Sequence, residues 1–170
     1  YDGYAKQIRL LDLTNSQQTI FPSNTGGPVT WSPDSTKLLY TDVAQKESGL
    51  RTQVHLADIS LNTSSVLLGS NDGFDNSYYS LAWSPLDDSV VMGFRAAEDQ
   101  PQEVFWLMDP GILEGIIIAD QPDYTYNSPR WDPWGTALIF QQFKLRGIFK
   151  PEIGVWKSGF REPLILTQGI

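Results

Sequence analysis

The chain contains no cysteine, a single histidine and only two methionines. Without cysteine there is no disulfide, no thiolate metal site and no cysteine nucleophile. One histidine cannot supply a two-histidine zinc site, and His55 has no identifiable partners for a Ser-His-Asp triad. Basic residues are scarce as well: Lys and Arg number 12 against 20 Asp and Glu, a formal net charge of −8. With no basic stripe to offset it, that charge repels phosphate backbones and anionic lipid, so neither nucleic acid nor a membrane is an expected partner. The longest apolar runs, such as Ile116-Ile117-Ile118-Ala119, are too short to span a bilayer. No window carries a helical period. No Gly-x-Ser-x-Gly elbow, phosphate loop or dinucleotide fingerprint occurs. No signal peptide is visible and residue 1 is Tyr, which reads as an excised fragment or a processed chain.

What is present is a repeat. Hydrophobic residues make up 41% and aromatics 12%, enough to build a core. Trp31-Ser32-Pro33-Asp34-Ser35 is followed by Leu38-Leu39-Tyr40. Trp83-Ser84-Pro85-Leu86-Asp87 leads to Val90-Val91-Met92, and Trp131-Asp132-Pro133-Trp134-Gly135 leads to Leu138-Ile139-Phe140. The tryptophans lie 52 and 48 residues apart, a period that marks a propeller or related array. Between the tryptophan stretches, apolar segments end in Asp12, Asp58 and Asp109, with Lys157 in the fourth slot. Labelled A to D within each unit, the strands run C-D and then A-B-C-D three times, with short connections that make each unit an antiparallel meander. The triplets after each tryptophan are apolar without alternation, as expected of strands covered on both faces.

These readings predict an all-β fold. It consists of three four-stranded antiparallel β-propeller blades plus an N-terminal half blade, together forming a single partial β-propeller domain over 1–170. The half blade spans 7–21, and the blades span 28–68, 78–118 and 127–167. The tryptophans are read as scaffold, wide rings between adjacent sheets whose N–H needs one acceptor.

The Trp-Ser-Pro-Asp-Ser and Trp-Ser-Pro-Leu-Asp strings, each followed by an apolar strand, resemble the repeats of TolB-like six-bladed β-propellers. The same repeat occurs in propeller domains of prolyl oligopeptidase-type enzymes. Ser35 and Asp87 stand where that repeat has a turn glycine, and Trp134 where it has the turn aspartate. The resemblance implies a WD40-like repeat module of a bacterial, extracytoplasmic (periplasmic or extracellular) protein. Such families close a ring with about six or more blades, so three and a half blades leave open faces. A homo-oligomer that closes them is one expectation, and blades supplied by a larger parent protein the other.

Function is expected on one end of the blades. The A–B and C–D turns are short, whereas the B–C and D–A loops, Asp42 to Thr52, Gly69 to Ser77, Ala96 to Gln102, Asp120 to Asn127 and Phe143 to Pro151, are long, polar and project the same way. Candidate binding residues on that long-loop face are Asp72, Asp75, Asn76, Tyr78, Tyr79, Glu98, Asp99, Asp123, Tyr124, Tyr126, Lys144 and Arg146. The Asn71-Asp72-Gly73-Phe74-Asp75-Asn76 loop has oxygen donors for calcium but lacks the spacing and terminal Glu of a calcium loop, so it reads as a turn cluster. The tyrosines suit either a ligand or packing at the blade tops. Lys144 and Arg146 suit an anionic partner or simple solvation. No cofactor and no metal are expected. The function expected is a non-catalytic binding module for a protein, peptide or glycan. The alternative is the substrate-gating propeller of a larger serine hydrolase of prolyl oligopeptidase type, whose catalytic domain this chain does not carry. A carbohydrate-active propeller would require carboxylates converging from the same loops.

Overall fold

A computed structural model describes residues 1–47, 49–69, 77–95, 103–147 and 150–167, with the Ser77 side chain also left out. Four antiparallel sheets follow one another along the chain. The first, a half blade, pairs β1 (Gln7–Leu11) with β2 (Gln18–Pro22). Blade one runs β3 (Val29–Trp31), β4 (Lys37–Lys46), β5 (Gly49–Asp58) and β6 (Thr63–Leu68) in sequence order. Blade two does the same with β7 (Ser77–Trp83), β8 (Val90–Arg95), β9 (Glu103–Asp109) and β10 (Glu114–Ala119). Blade three comprises β11 (Tyr124–Trp131), β12 (Ala137–Lys144), β13 (Pro151–Lys157) and β14 (Leu164–Ile165). The chain is all-β: three four-stranded blades preceded by a two-stranded half blade.

Three cores sit in the three gaps between successive sheets. Ile8 and Phe21 of the half blade meet Leu38, Tyr40 and Ala57 of blade one. Leu39 and Val54 turn the other way and meet Tyr78, Leu81, Trp83 and Met92 of blade two. Val91 and Phe105 then meet Tyr126, Leu138 and Phe140 of blade three. Successive side chains of a strand point to opposite faces, so one unbroken apolar triplet serves two cores. Leu38-Leu39-Tyr40 and Val90-Val91-Met92 are buried at every position. In Leu138-Ile139-Phe140 the middle residue is 44% exposed, because the outer face of blade three is open among the described residues.

The turns show why the aspartates recur. Asp12, Asp58 and Asp109 each accept a hydrogen bond from a backbone N–H two or three residues on. The residue four positions later is left-handed in each case: Ser16, Asn62 and Leu113. Such Asx caps close the C–D turns. Lys157 cannot cap, and there Gly159 takes the positive φ instead.

Two stretches read as loops are strands. Asp42 to Thr52 is largely a hairpin in which β4 and β5 stay paired as far as Lys46 and Gly49. Nothing in Val43-Ala44-Gln45-Lys46 breaks a strand, and among the described residues Gly49, at φ 113°, marks the turn. Likewise β11 begins at Tyr124, so the loop ahead of it is shorter than read.

Candidate functional site

At the long-loop end of the gap between blades two and three lies a buried carboxylate. Glu103 opens β9 directly opposite Arg95, which ends β8. Its side chain is 3% exposed and Arg95's is 54% exposed. One carboxylate oxygen accepts from Arg95 Nε at 2.9 Å and also from its terminal guanidinium nitrogen. The other accepts the Tyr79 hydroxyl at 3.1 Å and the Thr125 hydroxyl of blade three. A carboxylate leaves water only when its lone pairs are met, and here four donors meet them. The cluster therefore ties blade two to blade three and pins a half-exposed guanidinium at the mouth of the gap.

The Tyr79 ring lies on Gly93 of β8, where an added Cβ would come within 2.5 Å of the ring. Only glycine leaves room for the ring at that point. Burial, reinforced by the Glu103 charge, pushes the Tyr79 phenol far above its ordinary range. It is thus a fixed hydrogen-bond donor rather than a nucleophile.

The neighbouring hairpin end of blade three adds two cations. Lys144 Nζ sits 5.7 Å from the centroid of the Tyr124 ring, the residue it opposes in the ladder. Arg146 lies 3.9 Å from Asp123, and Leu145 N–H donates to the Asp123 carbonyl at 2.7 Å. Lys144, Arg146 and Asp123 are exposed and Tyr124 is partly so.

Of the candidate residues, Tyr79, Asp123, Tyr124, Lys144 and Arg146 come together around this gap. Tyr126 is in the same region but fully buried, packed on Phe105 and Phe140. Its hydroxyl accepts the Gln121 N–H, and burial pushes its pKa up to about 12. Tyr78 is buried between blades one and two and packs on Phe94. For these two tyrosines the packing reading applies, because a strand entrance at an inter-blade gap is covered from both sides. Asp72, Asp75, Asn76, Glu98 and Asp99 lie outside the described residues. Arg95, Glu103 and Thr125 were not singled out in the sequence. The available signal was an arginine ending one strand and a glutamate beginning the next, which antiparallel pairing must bring face to face.

Among the described residues no group of three His, Asp or Glu side chains is placed to hold a metal ion. His55 is on β5, stacked on Tyr40 at 4.9 Å in a different part of the molecule. What this end of the gap offers is a half-exposed guanidinium whose charge Glu103 balances, with Lys144 over the Tyr124 ring and Arg146 beside Asp123, a set of N–H donors that suits recognition of an anionic group.

No protein-family model matches this sequence, nor does any curated protein. Solved structures do share its shape. An oligogalacturonate lyase in complex with manganese superposes with a TM-score of 0.67 at 16% identity over 96% of this chain and 48% of its own. The β-propeller domain of the Trilobed protease from Pyrococcus furiosus gives 0.66 at 15% identity, covering 96% of this chain and 50% of its own. TolB from Acinetobacter baumannii gives 0.60 at 24% identity, covering 95% of this chain and 37% of its own. The chain thus spans about half the length of the first two and less of the third. At these identities the likeness speaks for fold, and the fold is that of the β-propellers found in TolB and in peptidases.

Proposed function

We infer that the chain acts as a non-catalytic binding module whose long-loop end, at the gap between blades two and three, receives a protein or peptide that presents a carboxylate. The carrying observation is the half-exposed Arg95 guanidinium held by buried Glu103, with Lys144 and Arg146 nearby in a chain of net charge −8. Steering and register, more than raw affinity, are what such charges contribute. An extracytoplasmic setting follows the resemblance of the repeat to TolB-like propellers. A glycan is the alternative ligand. Self-association over the open face of blade three belongs to the same reading.

A random-peptide display selection on the immobilised chain tests it. The expected result is enrichment of acidic peptides on the wild type and their loss on the Lys144→Glu/Arg146→Glu variant. Peptides that bind both proteins alike, or no enrichment at all, would sink the assignment. Selective binding on a glycan array instead would transfer it to carbohydrate. A second reading, the substrate-gating propeller of a larger hydrolase, is favoured by the likeness to a protease's propeller domain. A hydrolase domain in the same open reading frame would decide for it.

A further inference from the structure

The first strands of the blades meet one another: the Thr30 hydroxyl accepts the Trp83 N–H at 3.0 Å, and the Ser80 hydroxyl donates to the Asn127 side-chain carbonyl at 3.2 Å. The last strand of each sheet therefore lies on the outer rim. These are β2, β6, β10 and β14, and each presents an edge with no partner strand among the described residues. An exposed edge invites pairing unless it is short, polar or interrupted by proline. Three of the four follow that rule. β2 ends on Pro22, β6 opens with Thr63-Ser64-Ser65, and β14 has two residues. β10 does not follow it. The strand reads Glu114-Gly115-Ile116-Ile117-Ile118-Ala119, with no proline and no charge after Glu114. Ile116 and Ile117 are 56% and 46% exposed. They stand opposite Leu107 and Trp106 in the ladder, on opposite faces, and so flank the edge from both sides. Gly115 adds no side chain to screen it. Its backbone lies so close to β9 that a Cβ would come within 2.2 Å of the Leu107 carbonyl oxygen.

Beside the end of this edge is a hollow of about 330 Å³. Residues 117–121 form one wall, and residues 161–163, between β13 and β14, form the other. Five consecutive residues reach it, although successive side chains of a strand face opposite ways, so the hollow runs along the edge and not over one face. The register of β10 on β9 breaks between Ile117 and Ala119. Such a break bends the strand, and it leaves Glu114 to Ile117 as the regular stretch of edge with the hollow next to it. Strand addition draws affinity from main-chain hydrogen bonds and specificity from pockets for alternate side chains. β10 offers both, an unpaired edge and a hollow large enough to receive a side chain.

We propose that the rim edge of β10 docks an extended segment of a partner protein, added antiparallel as a fifth strand of blade two, apolar and β-branched in its middle and bearing Lys or Arg at its ends. Charge selects that occupant. Glu114 stands opposite Asp109 at one end of the edge, and Asp120 and Glu162 line the hollow at the other, against Arg161. This excess of carboxylates draws basic ends and repels acidic ones. A second copy of the chain is the poorer fit, because antiparallel self-pairing about Ile117 sets Glu114 of each copy opposite Asp120 of the other. The surface is also distinct from the Arg95 end of the gap, which suits a ligand of the opposite charge.

Titration of the isotope-labelled full chain with the synthetic peptide Lys-Val-Thr-Val-Thr-Lys, followed by NMR, provides the test. The expected result is movement of the Gly115, Ile116 and Ile117 amide signals, with proton contacts between the peptide backbone and β10. Affinity should weaken with salt. It should fall at least ~10-fold, a loss of about 1.4 kcal/mol, in Ile116→Lys and again in Glu114→Lys. Both side chains are exposed, so the spectra of these variants should otherwise match the wild type. Of two peptides methylated on alternate backbone nitrogens, one should lose binding and the other keep it, because only every second N–H of an added strand faces the edge. Absence of binding, equal binding by Ile116→Lys, equal binding of Glu-Val-Thr-Val-Thr-Glu, or equal binding of the two methylated peptides would overturn the proposal. So would self-association of the wild type that Ile116→Lys abolishes, which would give the edge to a second copy.

Discussion

Glu103 and Arg95 are unequal partners. The arginine reaches solvent and the glutamate does not, so deleting either has a different cost. Arg95→Ala strands a buried carboxylate on two hydroxyls and should lower stability by about 3 kcal/mol, read from urea unfolding. Glu103→Gln should cost less, since the freed guanidinium can hydrate. Equal losses in the two variants would mean the pair is no deeper in effect than a surface salt bridge. His55 gives a second test at this scale. Burial lowers its pKa from the ordinary 6.5, and the charge of Asp42 opposes that only in part. In the folded protein it therefore binds a proton less readily than in the unfolded chain. Stability should be full above pH 6.5 and should fall as pH drops below that value. His55→Phe should flatten the dependence between about pH 7.5 and 5.5. The capped aspartates titrate at lower pH, with Asp34 held at about 2 by the Ser32 and Thr36 hydrogen bonds, and do not obscure the window.

At the scale of the strand, neighbours in sequence have opposite fates. Leu138 is fully buried against blade two, whereas Ile139 faces outward and is half exposed. Leu138→Ala should cost about 2–5 kcal/mol and Ile139→Ala less than about 1 kcal/mol, measured by denaturant midpoint at constant m-value. In β4 and β8, where both faces are covered, no such contrast is expected between Leu38 and Leu39 or between Val90 and Val91. This element was legible in the sequence because burial on both faces writes an unbroken apolar run. The long hairpin of β4 and β5 was not, because Val43 to Lys46 alternates weakly and ends on polar residues that suit a loop equally well. The Glu103 cluster was hidden for a related reason. A buried carboxylate is recognisable only through its donors, and two of those, Tyr79 and Thr125, are distant in sequence and sit on other strands.

For the molecule as a whole, the repeat is legible as blades, whereas the grouping of charges at a blade end is not, because it joins residues of different strands. Loop length drew attention to one end. The open face of blade three, where Ile139 and Leu164 are 44% and 52% exposed, bears on assembly. Light scattering on the 170-residue chain should show mass rising with concentration above 19.1 kDa, and Ile139→Glu should abolish the rise. A constant monomer mass in the wild type would count against self-association through that face.

The shared cores grip the blades unequally. Among the described residues, blades one and two each have a sheet packed on either side, while the half blade and blade three have one. Sheets stacked this way behave as a linear array in which stability passes between nearest neighbours. The outer sheets should therefore release first, and amide protons should exchange with solvent in a gradient, fastest in β1, β2, β13 and β14 and slowest in β4 and β8. The triplet that looks in the sequence like a simple hydrophobic run is, in this array, the rivet between two layers.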